Sequence, residues 1–145
     1  MSGITLKPIG VVRSKIKQPT RRKFKDLVSE IVIDSSLTEA LDNLDEFSHI
    51  IVIFWMHRHR GLAPKKVRPK GNPEQALMGV FATRSPDRPN PIGKTTVRLL
   101  QHQDNRLIVE GLDAIDGSPV IDIKPYIPGY DSVKKAKAPS WMVKK

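Results

Sequence analysis

The chain contains no cysteine, which removes disulfides and thiolate metal centres from the ways its fold can be held and makes an intracellular setting the expectation. Aromatic residues make up only 6% of its 145 residues and are not interleaved with the basic ones. A platform on which successive single-stranded bases stack is therefore not expected, and structured RNA or a flipped base suits a polyanion-binding surface better. No apolar run approaches the roughly 20 residues that cross a bilayer, and the opening stretch MSGITLKPIGVV lacks the apolar segment of a signal peptide. A cytoplasmic protein with no membrane partner is expected. The sequence also lacks GxGxxG, so a nucleotide cofactor, if bound, is bound without the common dinucleotide-binding fold. There is no internal repeat.

What the chain does have is positive charge. The formal net charge is +10, and 18 of the 25 Lys and Arg fall in three runs without a single acid: Arg13 to Lys25, Arg58 to Lys70 and Lys134 to Lys145. Such clusters supply the counterion-release attraction used by nucleic-acid-binding proteins, with solvated loops or contact with an anionic membrane as the alternatives.

Length predicts a single domain over 1–145, with a basic C-terminal tail from about residue 131. Extended segments dominate: Ile4–Val12, Val28–Ile33, Ile50–Met56, Gly79–Thr83, Thr95–Gln101, Leu107–Leu112 and Val120–Ile123. They are rich in β-branched residues, and Asp104-Asn105 and Asp116-Gly117 between them read as hairpin turns. One helix is expected in SSLTEALDNLDEF, where Ser36 and Glu39 fit a capping box and Leu37, Leu41 and Leu44 share a face. The pattern predicts a mainly β protein, an antiparallel barrel or sandwich with one short helix and long loops at 14–27 and 58–78. Long ordered loops in a small domain are usually functional.

The segment GVFATRSPDRPNPIG, Gly79 to Gly93, is a polar elbow. Prolines 86, 89 and 91 fix φ and push their predecessors toward extended conformations, so Arg84, Arg88 and Asn90 are held before any ligand arrives. A plain connector, or a PxxP ligand at Pro86-Asp87-Arg88-Pro89, is the blander alternative.

Together, Gly79–Ser85 and Arg88–Gly93 resemble the signature of the TsaA-like family, whose TrmO-type members are tRNA N(6)-adenosine methyltransferases. IGVVRS, LDEFSHIIVIFWMH and LDAIDGSPVIDIKPYIPGYD follow in the family's order and extend the resemblance over most of the chain. It implies a single-sheeted antiparallel β-barrel and a homodimer that binds S-adenosylmethionine near the subunit interface. The expected reaction methylates the exocyclic amine of threonylcarbamoyl-adenosine next to the anticodon of tRNA. Many bacterial members carry a C-terminal domain that helps hold tRNA; here basic loops, the tail or a partner protein would take that task.

By the same resemblance, His57, Arg58, Arg84, Lys94 and the stretch Asp113-Ala114-Ile115-Asp116 line the cofactor site, with Pro19-Thr20-Arg21 as a further contacting loop. Arg88, Asn90, Lys124 and Tyr126 are the candidate RNA contacts. The family usually has an apolar residue where Asp87 stands and Leu or Met where Lys94 stands.

A sulfonium already activates its methyl group, so such an enzyme must mainly align nucleophile, carbon and sulfur, a task worth up to roughly 7 to 11 kcal/mol. The amine must also lose a proton to a carboxylate, a backbone carbonyl or water. Asp113, Asp116 and Asp122 are the acids nearest the motifs, and none is singled out.

Each residue has a structural alternative. Arg84 and Arg88 would pair with acids, Asp116-Gly117 would only turn a hairpin, and Asp122, Lys124 and Tyr126 would form a buried polar brace. His57 and His59, with His49 eight residues earlier, raise a metal site, but no nearby carboxylate completes it and no metal is expected. A nonenzymatic RNA-binding barrel and a metal-dependent hydrolase are the competing functions.

Overall fold

The computed structural model describes residues 3–19, 23–58, 61 and 63–142. Six strands close into one antiparallel barrel: β1 (Gly10–Arg13), β2 (Val28–Ile33), β3 (His49–Trp55), β6 (Ile92–Gln103), β7 (Arg106–Glu110) and β8 (Pro119–Pro125). Their order around the ring is β1-β2-β7-β6-β3-β8, and β8 pairs back onto β1 through Gly10↔Val120 and Val11↔Pro119. The single-sheeted barrel expected from the sequence is what forms. Two short strands, β4 (Lys66–Val67) and β5 (Met78–Gly79), make a separate ribbon.

Period-2 alternation explains which residues fill the barrel. On β2, Ser29, Ile31 and Ile33 are buried while Val28 is exposed. On β6, Gly93, Thr95 and Val97 face inward and Lys94, Thr96 and Arg98 outward. The central β3, paired to β6 on one side and β8 on the other, buries Ile50, Ile51, Val52 and Phe54, which is why it reads as a continuous apolar run. Val12, Ile31, Ile50, Val97, Leu107, Val109, Leu112 and Val120 complete the core.

Glycine is required where backbone meets ring: a Cβ at Gly93 would sit well inside van der Waals contact with the Phe54 ring. Two bulges adjust the ring, one between Leu99 and Gln101 on β6 and one where Ile53 and Phe54 of β3 meet β8. Beyond the second, Ile123 packs on the core and Asp122 and Lys124 turn outward.

Several local expectations are corrected. The segment predicted as a strand over Gly79–Thr83 pairs only through Met78–Gly79; Val80–Ala82 is a 3-10 turn, because the Thr83 amide and hydroxyl both donate to the Val80 carbonyl (3.1 and 2.8 Å). The helix predicted from Ser36 is a 3-10 segment, Ser35–Leu41, capped by Asp34, whose carboxylate accepts from the Ser36 amide at 3.0 Å. Asn43 in the left-handed region (φ 69°) separates it from a second short turn, Leu44–Glu46. Among the described residues the one α-helical turn, α1, is Pro128–Asp131.

Asp104 adopts φ 53° in the two-residue β6–β7 loop, as its hairpin reading requires. Asp116-Gly117 also turns, with Gly117 at φ 83°, but β7 and β8 on its two sides are not neighbours in the barrel, so it is not a hairpin. Among the described residues no helix is long and apolar enough to cross a membrane.

Candidate functional site: a cleft at one rim of the barrel

Four segments distant in sequence meet where β3 ends and β8 begins. They enclose a cleft of about 500 Å³, within the range of small-molecule sites. Its deep side is apolar: Phe54, Met56, Ala114 and Ile115 line it, with Pro19 and Phe24 from the long loop opposite. The polar groups are His57, Arg58, Arg84, Asp87, Asp113 and Ser118.

Each segment is fixed by its own backbone bonds. The Met56 amide donates to the Pro91 carbonyl (2.8 Å), joining the end of β3 to the elbow. Inside the elbow the Ser85 amide donates to the Thr83 hydroxyl (3.2 Å) and the Asp87 amide to the Ser85 hydroxyl (3.1 Å). Arg88 turns inward, its Nη1 donating to the carbonyls of Thr83 (2.9 Å) and Ser85 (3.1 Å). That guanidinium braces the loop that presents Arg84; its partners are carbonyls, not the acids named as the structural alternative.

The 111–118 loop carries the acids. Thr95 on β6 donates its hydroxyl to Asp113 Oδ1, which ties this loop carboxylate at the cleft to a barrel strand. Asp116 points elsewhere. Its Oδ1 accepts from the Ser14 amide (2.9 Å) and its Oδ2 from Lys17 Nζ (3.0 Å), and these hydrogen bonds, the Ser14 amide first and Lys17 next, hold the carboxyl below its ordinary range. The carboxylate ties the 14–17 segment to the turn, while the turn's Ile115 side lines the cleft. Gly117 lies under the His57 ring: a Cβ there would be 3.6 Å from Nε2. Burial, and next the charge of Arg58, lower the His57 pKa below 6.5 against an opposing pull from Asp116. The imidazole is neutral at neutral pH.

Of the residues expected to hold a cofactor, the fold brings Pro19, His57, Arg58, Arg84, Asp113, Ala114 and Ile115 to one cleft. Thr20, Arg21 and His59 lie outside the described residues. Lys94 is on the outward face of β6, on the side of the strand opposite Thr95, and is not brought to the cleft. Asn90 is exposed at the far end of the elbow, its carbonyl taking the Ile92 amide (2.7 Å).

Asp122 pairs with Lys124 at 3.2 Å on the outer surface, so the buried brace does not form. Tyr126 meets His49 edge-on, ring centroids 6.4 Å apart, at the opposite end of β3 from His57. Strand β3 (His49–Trp55) spans roughly 20 Å between those two histidines, so His49 cannot share a ligand with His57. Among the described residues no group of three metal-ligating side chains is assembled.

Phe24, Phe54, Met56, Pro86 and Ser118 line the cleft without having been singled out. Three carried a signal: Phe54 and Met56 alternate into the barrel at strand period, and Phe24 is the sole aromatic in the basic run Arg13 to Lys25.

A closed antiparallel barrel with a lateral cleft of this composition defines a small-molecule-binding β-barrel outside the dinucleotide-binding folds. The chain belongs to the tRNA-methyltransferase O N-terminal domain family, whose model matches residues 11–132. It is 47% identical over 134 residues to an S-adenosyl-L-methionine-binding protein of Archaeoglobus fulgidus, covering 90% of this chain and 94% of that one. It is 38% identical over 151 residues to the tRNA (adenine(37)-N6)-methyltransferase of Escherichia coli, covering 95% of this chain and 64% of the relative. The crystal structure of TrmO from Pseudomonas aeruginosa superposes with a TM-score of 0.81 at 31% identity, over 97% of this chain and 62% of that chain. The chain therefore spans less than two thirds of these last two proteins.

Proposed function

We propose that this protein is an S-adenosylmethionine-dependent methyltransferase acting on the exocyclic amine of adenosine 37 of tRNA, as the name of its E. coli relative specifies for that protein, with the threonylcarbamoylated base as the form accepted. The observation that carries the reading is the convergence of seven expected cofactor residues on one cleft.

The donor set suits a zwitterionic sulfonium nucleoside. Phe54, Met56 and Ala114 offer an apolar floor to a purine, Arg58 and Arg84 offer charge to a carboxylate, and Asp113 offers an acceptor to hydroxyl or ammonium groups. Neutral His57 adds no repulsion to a sulfonium. When bound, the cofactor supplies an electrophilic methyl group. The chain's own residues align the amine with it, and the pre-set elbow lowers the entropy cost of doing so.

As the amine nitrogen gains its methyl it releases a proton. Of the three candidate acids Asp113 alone is in the cleft, since Asp116 is held by Ser14 and Lys17 and Asp122 by Lys124. Asp113 Oδ1 accepts from Thr95, which leaves Oδ2 to receive the proton.

A homodimer in the cytoplasm completes the proposal. Phe81, 78% exposed three residues before Arg84, offers an apolar contact to a second copy.

Calorimetric titration with S-adenosylmethionine and methyl transfer to tRNA lacking the mark test the reading. Micromolar binding with methyl incorporation is expected, and both should fall with Arg84→Ala. RNA binding without cofactor binding would instead leave a nonenzymatic RNA-binding barrel.

A further inference from the structure

The loop between β1 and β2 has two sides. Pro19 and Phe24 face the cleft. On the other side, two depressions of about 740 and 840 Å³ share Lys15 and Val28 and run together as one groove along residues 13–17 and 23–30. The wall between groove and cleft is thin: the Asp116 amide donates to the Ile16 carbonyl (2.7 Å) and the Gly117 amide to the Val12 carbonyl (2.8 Å), so the 115–117 turn presents Ile115 to the cleft and Asp116 to the groove.

Charge in this groove is not balanced. Its acids Glu30 and Asp116 are engaged, by Arg106 at 3.4 Å and Lys17 at 3.0 Å. Lys15, Lys23 and Lys25 are exposed and have no ion-pair partner among the described residues. The groove's third acid, Asp26, sits between Lys25 and the Leu27 turn. Three unpaired ammonium groups against the single carboxylate of Asp26, likewise unpaired among the described residues, on an anchored loop (the Leu27 amide donates to the Phe24 carbonyl, 2.9 Å, and the Gly111 amide to the Leu27 carbonyl, 2.9 Å), suit repeated, compact anions.

We propose that this groove is the track for the RNA backbone flanking the methylated base, with Lys15, Lys23 and Lys25 contacting its phosphates. The inference rests on reading the cleft as a base-methylating site, because only an RNA strand must deliver a base to one side of this loop while its phosphodiesters pass along the other. The remaining basic runs are differently placed. Arg58 lines the cleft itself, and Lys134 and Lys135 follow α1, which leaves the barrel at the His49 end, remote from the cleft.

The test uses an in vitro transcribed tRNA with adenosine at position 37, its binding measured by fluorescence anisotropy across a salt series. The proteins are the wild type, the groove triple K15E/K23E/K25E, its milder form K15A/K23A/K25A, and the tail triple K134E/K135E/K137E. Each phosphate contact contributes roughly 0.7 to 0.9 to the slope of log affinity against log salt. The alanine triple should lower the magnitude of that slope by about 2 and weaken binding at least tenfold at moderate salt. The glutamate triple should lose more, and the tail triple should stay within about threefold of wild type. Melting temperature and calorimetric S-adenosylmethionine affinity of the alanine triple should match the wild type, showing an intact barrel and cleft.

Wild-type-like RNA affinity and salt slope in both groove triples would overturn the proposal, and so would an equal loss in the tail triple. Wild type that is retained on phosphatidylserine vesicles and does not bind the transcript overturns it as well, in favour of a membrane surface. Absence of cofactor binding or methyl transfer, with groove-dependent RNA affinity retained, defeats the enzymatic reading and leaves the groove standing.

Discussion

The ring of Phe54 lies directly on the backbone of Gly93, with no room for a Cβ between strands β3 and β6. Because Phe54 is 3% exposed yet also lines the cleft, this contact couples core packing to the site. Gly93→Ala forces the ring outward or the strands apart. A loss of about 1–3 kcal/mol in urea denaturation is expected, together with weaker S-adenosylmethionine binding in calorimetry. A variant with lowered stability and undiminished affinity would show that the Phe54 ring does not contribute to the cleft.

Asp113→Asn keeps the shape of the cleft and removes its proton acceptor. Turnover should drop about 10²- to 10⁴-fold, a larger loss than the several-fold weakening of cofactor binding that follows from the lost carboxylate contact. Thr95→Val, which deletes the hydroxyl donated to Asp113, should give a smaller drop in single-turnover rate. Wild-type turnover in Asp113→Asn would transfer the proton to another group.

Arg88 separates bracing from recognition. Arg88→Ala deletes two hydrogen bonds to the elbow's carbonyls, each worth on the order of 1.5–3 kcal/mol when the donor is charged and buried and less at this partly exposed position. The elbow that carries Arg84 should loosen, so cofactor affinity falls several-fold and the salt slope of tRNA binding is unchanged. A slope lowered by about one unit would instead mark Arg88 as a phosphate contact.

Two groups set an acid limit with the same bookkeeping of protons, each in its own pH range. His57 has a lowered folded-state pKa, so between that value and 6.5 the unfolded chain binds the proton and the folded one does not. Stability and affinity for a cationic ligand are therefore present above pH 6.5 and decline as pH falls below it, and His57→Gln should flatten the profile. Asp116, also lowered, contributes above its ordinary value of 3.8 and loses its contribution only as pH falls through its lower folded-state value. Asp116→Asn should abolish that second, more acidic step in a melting-temperature series.

Much of the barrel was legible because burial imposes a period. Val28–Ile33 matches its strand at both ends, and the run at Ile50 marks the strand with neighbours on both sides. Where local hydrogen bonding competed with pattern, the reading failed. The Thr83 hydroxyl closes Val80–Ala82 into a turn, and the Asp34 carboxylate caps a 3-10 segment that the Ser36–Glu39 spacing had suggested as a capping box.

The cleft was legible through motif order, but the direction in which a side chain leaves its strand was not. Lys94 sits one residue from inward-facing Thr95 and so lies outside the barrel, while the bulge opposite Ile53 and Phe54 sends Asp122 and Lys124 to the surface. Such shifts of register depend on pairing between strands distant in sequence, which no local spacing reports.

The join between β1 and β8 is two residue pairs long, extended by amide bonds linking Val12 to Ser118 and Gly117. The loops that leave this seam, one after β1 and one before β8, are the two banks of the cleft. An occupant touching both therefore acts as a clasp on the ring's shortest suture, so that ligand occupancy and hydrogen-exchange protection of Val12 and Gly117 should rise together.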